Sequence, residues 1–105
     1  MLLKFTFNYA AEFSCIWSGD QEAFDKYGSI VEHEALGISQ ELDLAMQELC
    51  KEYQSSLNWD SPKDPSPWTD EQKRSFSQKA KSVYDKLISE LGGKYQIQYD
   101  VLIPK

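Results

Sequence analysis

Histidine occurs once in these 105 residues, at His33, and cysteine only twice, at Cys15 and Cys50. A metal clamp needs several ligands on one face, and Glu32 and Glu34 project away from His33 whether that segment is helix or strand. The cysteines lie far apart, in no metal-like spacing. In a cytosolic chain they read as reduced, buried thiols. No metal and no cofactor are therefore expected. No apolar run approaches the ~20 residues that span a bilayer, which excludes a membrane helix. Met1-Leu2-Leu3-Lys4-Phe5 lacks the basic start, continuous apolar stretch and cleavage site of a signal peptide, so the expected location is the cytoplasm. A Gly-rich phosphate loop is missing too, since Gly92-Gly93 precedes a strand and reads as a helix stop. There is no internal repeat and no low-complexity stretch. The length suits a single domain over residues 1–105, with one modest core.

Positive charge is scarce in one half. Residues 11–60 hold eleven acids against Lys26 and Lys51 alone, whereas residues 61–105 hold eight Lys/Arg and six Asp/Glu. The formal net charge is −6. Phosphates demand cations, so an acidic half disfavours nucleic acid as a partner. It favours a basic protein, through steering and complementarity. A solvated surface that only maintains solubility is the plainer account of the same charges.

What is present is regular patterning. Residues 2–9 alternate with period two, with Leu3, Phe5, Phe7 and Tyr9 on one face. Residues 12–17 alternate likewise, placing Phe13, Cys15 and Trp17 opposite Ser14 and Ile16. The break at Ala10-Ala11 suits a hairpin. A last strand carries Tyr95, Ile97, Tyr99, Val101 and Ile103 on one face. Between these strands lie helices. Ser18-Gly19-Asp20 caps a short one that Gly28 stops. Ser39 caps a long one running to about Ser56, with Leu42, Ala45, Met46, Leu49, Tyr53 and Leu57 as its apolar stripe. Thr69-Asp70-Glu71-Gln72 is a capping box opening another, with Phe76, Ala80, Val83, Leu87 and Leu91 on its buried side. The pattern predicts an α+β two-layer sandwich. Three antiparallel strands, with Ile30-Val31 open as a fourth at the edge, are covered on one face by two long helices. The first strand is expected in the middle of the sheet.

Catalytic material is thin. A Cys–His pair from Cys15 or Cys50 with His33 is conceivable, yet both cysteines fall at core positions, where thiols are inert. The expectation is a protein that is not an enzyme; a small enzyme using carboxylates or Cys15 is the weaker alternative. A step of 100° per residue along the helix from Ser39 puts Glu41, Glu48 and Glu52 on one narrow flank, with Leu44 near the back. An exposed leucine beside an acidic stripe suits the apolar centre of a charged interface. The segment Ser56–Trp68 concentrates proline and tryptophan. Ser61, Asp64 and Ser66 each precede proline and are held extended. The loop is expected to brace the two long helices, with at least one of Trp59 and Trp68 folded back to close the end of the core; in the functional reading it holds Trp59 or Asp60 as a rigid contact. Candidate partner-binding residues are thus Glu32, Glu34, Glu41, Leu44, Glu48, Glu52, Trp59 and Asp60.

The run Ser56-Leu57-Asn58-Trp59-Asp60-Ser61-Pro62-Lys63-Asp64-Pro65-Ser66-Pro67-Trp68 resembles one found in small bacterial proteins of similar layout. By size, acidity and lack of catalytic groups, the whole chain resembles the small immunity proteins of contact-dependent growth inhibition and related polymorphic-toxin systems. That resemblance implies stoichiometric binding to a cognate toxin domain, often a basic nuclease, and occlusion of its working surface. It transfers no residue by motif. A regulatory interaction module, homodimeric through an exposed sheet edge, is the alternative from a different class.

Overall fold

A computed structural model describes residues 1–8, 14–56 and 66–101. In chain order the elements are β1 (Leu2–Phe5), β2 (Ile16–Ser18), α1 (Gln21–Tyr27), a 3-10 turn (His33–Leu36), α2 (Gln40–Gln54), α3 (Asp70–Leu91) and β3 (Gln96–Tyr99). Each helix begins where a polar side chain satisfies free backbone N–H groups. Asp20 accepts from Ala23, and Ser39 accepts from Leu42. Thr69 and Gln72 form the reciprocal capping box read from the sequence. At Gly28, φ is 83°, a left-handed value that ends α1 and that side chains with a Cβ resist. Thr69→Ala is expected to cost about 1 kcal/mol by freeing the Gln72 N–H, lowering the melting temperature by several degrees in a thermal scan.

The sheet order is β2-β1-β3, so the first strand is central as expected. Its pairing with β2 is antiparallel, but its pairing with β3 is parallel. The all-antiparallel expectation is corrected on this point. Period-two patterning shows which face a strand buries and is silent on its direction. Direction is set by the end of the sheet to which α3 returns the chain. There the Gln96 N–H reaches the Met1 carbonyl, and the Asp100 N–H reaches that of Phe5. The fourth strand reduces to one bridge, Trp17 with Ile30.

A second correction concerns β2. Phe5 stands opposite Ile16, and Leu3 opposite Ser18. Residues directly opposite share a face, so Ile16 joins Leu3 and Phe5 inside while Trp17 sides with Lys4. Ser14, which the alternation set opposite Phe13, Cys15 and Trp17, is fully buried too, its hydroxyl satisfied by donating to the Val31 carbonyl at 2.5 Å. Tyr9, Phe13 and Ile103, also assigned to strands, lie outside the described residues, as does the Ala10-Ala11 turn.

The core fills the space between the sheet and the α2–α3 pair. Phe76 is fully buried, with its ring 5.0 Å from Phe7 and 5.1 Å from Trp68. Trp68 packs here as an anchor, its indole N–H donating to Ser55 Oγ at 2.9 Å. Ser66 hydrogen-bonds the Ser56 carbonyl. The C-terminal end of the proline segment is therefore tied to the C-terminal end of α2, as a brace requires. Against the sheet, the rings of Phe5, Tyr84 and Tyr99 pack on one another, and the Tyr84 hydroxyl donates to the Ile97 carbonyl at 2.7 Å.

Candidate functional site

Helix α2 sets out the charged surface. Its buried side carries Leu42, Met46, Leu49, Cys50 and Tyr53, which turns two different flanks toward solvent. One flank adjoins α3. Glu41, Glu48 and Glu52 all lie there, on the edge of a groove between the helices. Leu49 and Val83 form the floor of one part, a depression of about 450 Å³ that Glu48, Glu52 and Lys79 border. Leu42 floors the next part, of about 240 Å³, edged by Glu41, Lys86 and Glu90. Ala45 belongs to both, so the two form one furrow. The sequence-derived stripe is thus real, and it has a specific neighbour.

Charges along the furrow are partly matched. Lys79 Nζ lies 3.2 Å from Glu52 Oε1, across from α3 to α2. At the other end, Glu90 accepts from the backbone N–H and the hydroxyl of Ser39, both at 2.8 Å. Glu41 and Glu48 are exposed and have no ion pair among the described residues. Leu44 is 52% exposed on the back of the helix, away from the furrow.

The opposite flank of α2 holds a separate constellation. Glu32, Glu34, His33, Asp43 and Gln47 line a depression of about 270 Å³. Glu32 and Glu34 are exposed, whereas His33 is buried between them. The Cys15 N–H donates to His33 Nε2 at 3.3 Å, which leaves Nδ1 to carry the proton donated to Asp43 Oδ1 at 2.8 Å. Gln47 donates to the same carboxylate oxygen at 3.0 Å. The candidate residues therefore divide between two faces and a ridge: Glu41, Glu48 and Glu52 in the furrow, Glu32 and Glu34 beyond α2, and Leu44 between. Trp59 and Asp60 lie outside the described residues.

Electrostatics of the His33 cluster follow from burial. Loss of solvent pushes the imidazole below its ordinary value of 6.5, outweighing the Asp43 carboxylate that pulls the other way. Burial pushes Asp43 up, but the hydrogen bonds from Gln47 and His33 prevail and hold it below 3.8. The unfolded chain therefore binds a proton at His33 that the folded chain refuses. Stability is full above about pH 6.5 and falls as the pH drops from there through the folded value. Asp43 adds a second loss at lower pH, as its folded carboxylate protonates. In urea titrations, His33→Gln is expected to be less stable throughout and to lose the slope that begins below pH 6.5. An unchanged slope in the variant would show that another group titrates there.

Cys15 and Cys50 are both fully buried free thiols. Burial raises the Cys15 pKa well above the ordinary range, with further upward contributions from neighbouring Cys50 and from Asp43. The conceivable Cys–His pair does form, with Cys15 Sγ 4.0 Å from His33 Nε2, but a neutral, enclosed thiol makes a poor nucleophile. Among the described residues no cluster of His, Cys, Asp and Glu could hold a metal, and no helix is long and apolar enough to cross a membrane. Two features escaped sequence reasoning. The His33–Asp43–Gln47 network needs a tertiary contact between residues ten apart, of which only the i,i+4 step from Asp43 to Gln47 was visible locally. Lys79, which takes up Glu52, lies 27 residues beyond it. No curated protein matches the chain. A family model described as Serratia CdiI immunity protein-like matches residues 3–101.

Proposed function

The chain belongs to the Serratia CdiI immunity protein-like family, and from that premise we propose that it neutralises a cognate toxin domain by binding it one to one. The partner is basic and nuclease-like, and its working surface is covered rather than chemically altered. The observation that carries this reading is the acid row along one furrow, Glu41 and Glu48 exposed and Glu52 half-buried, in a chain half that holds eleven acids and two lysines. A surface that must shield phosphates from a nuclease presents what phosphate presents, negative charge at regular intervals. Such a surface raises the encounter rate with a basic partner before any contact forms.

Co-expression with the product of the adjacent upstream gene tests the idea. That product is expected to be toxic alone and harmless alongside this chain, and the two are expected to elute together from gel filtration. Nuclease activity should vanish at equimolar ratio. A harmless neighbour, or a mixture that separates on the column, would end the proposal.

A further inference from the structure

Resting on that reading, we infer that the furrow between α2 and α3 receives an amphipathic helix of the toxin domain, with the basic flank of that helix against α2. The floor presents Leu42, Ala45 and Leu49, spaced i, i+3 and i+7 along α2, with Val83 facing them from α3. An apolar row at that spacing runs along the helix axis, and it matches the i, i+3, i+4, i+7 anchors by which a helix lies in a groove. Ridges of a third helix settle between two others at interaxial distances near 8–10 Å when the floor side chains are small. Ala45 and Ser82 supply that clearance at the centre.

The rims state the chemistry of the occupant. On the α2 side Glu41 and Glu48 stand two helical turns apart, about 10 Å along the axis, and neither is ion-paired among the described residues. On the α3 side Lys79 and Lys86 repeat the same seven-residue spacing. A complementary helix therefore carries Lys or Arg at i and i+7 on one flank, acids or neutral polar groups on the other, and aliphatic side chains between. The run from Glu41 to Glu52 matches about three turns of such a helix. Glu52 is already engaged by Lys79, in an exposed pair of the kind that is cheaply exchanged for a partner's cation. Nucleic acid is a poor occupant, because the α2 rim repels phosphate.

The test places a photo-crosslinking residue at Ser82, an exposed furrow position, and separately makes Ser82→Trp to fill the furrow. The probe is the toxin domain from the adjacent upstream gene. The crosslink is expected to map to one helical segment with basic residues seven apart. Ser82→Trp should weaken the complex at least tenfold with an unchanged melting temperature, while Ser82→Ala binds as the wild type. Glu48→Lys should be rescued by reversing the facing cation on that segment. A wild-type complex whose crosslink falls on a loop or strand, or that tolerates Ser82→Trp, overturns the furrow and leaves neutralisation by binding intact. Free protein that is dimeric and becomes monomeric with Ser82→Trp assigns the furrow to a second copy of the chain, which also overturns it. Absence of any wild-type complex overturns the inference together with the reading beneath it.

Discussion

Phe76→Ala is expected to cost about 3–5 kcal/mol, the range for removing a fully enclosed phenyl ring from a core that cannot close over the gap. Phe76 has no exposed surface, and four aromatic side chains converge there. Its ring lies 5.0 Å from Phe7, 5.1 Å from Trp68 and 6.1 Å from Tyr53, and Phe7 in turn stacks on Tyr53 at 5.6 Å. Removing the shared ring thus weakens three attachments at once: the extension of β1, the C-terminal end of α2, and the anchor of the proline segment. Total stabilities of natural domains run to about 5–15 kcal/mol, so the variant forfeits a large share. Melting should fall by at least about 12 °C, given about 4–8 °C per kcal/mol for a domain near this size. Phe76→Leu, which keeps most of the volume, should recover the greater part. Calorimetry of the three proteins decides the matter. A loss under 1 kcal/mol for alanine would mean the aromatic cluster is not where the fold is secured.

The second large effect concerns rate. Glu48→Lys combined with Glu52→Lys reverses two of the three charges on the α2 rim. If that rim steers a basic toxin domain, association at low salt should slow about 10–100-fold, with the dissociation rate changing less. Raising the salt from ~10 mM to ~150 mM shortens the screening length from about 30 Å to about 8 Å. Most of the difference between wild type and variant should therefore disappear in that interval. Folding is a poor alternative explanation, because Glu48 is exposed and the Glu52–Lys79 pair is a surface pair of at most about 1 kcal/mol. Stopped-flow mixing at both salts separates steering from a local contact. Equal slowing at low and high salt would point to lost contacts instead, and an unchanged rate would remove the rim from the encounter altogether.

What the sequence made legible was local. Asp20, Ser39 and Thr69 announced their helices because a cap bonds backbone only two or three residues ahead. The stripe Phe76, Ala80, Val83, Leu87 and Leu91 was readable because helical spacing is fixed. Glu41, Glu48 and Glu52 fell on one flank for the same reason. Hidden were the facts that need a distant partner. The parallel run of β3 against β1 depends on the route of some ninety intervening residues. The inward turn of Ile16 depends on its being opposite Phe5. Lys79 beside Glu52, and Asp43 beside His33, appear only once α3 and the 3-10 turn are docked. The sequence thus supplied the acidic row but not the furrow that gives the row an inside and an outside.

The parallel pairing also governs when the fold is completed during synthesis. β1 sits in the centre of the sheet, yet one of its two partners is residues 96–99. Chains elongate at about 5–20 residues per second, so the far edge of β1 stays open for at least several seconds after it is made. Pairing then has to close a loop of most of the chain, the kind of contact that slows folding most. Every nascent molecule consequently passes through a stage in which its central strand still has one vacant edge, waiting for the last strand to be made.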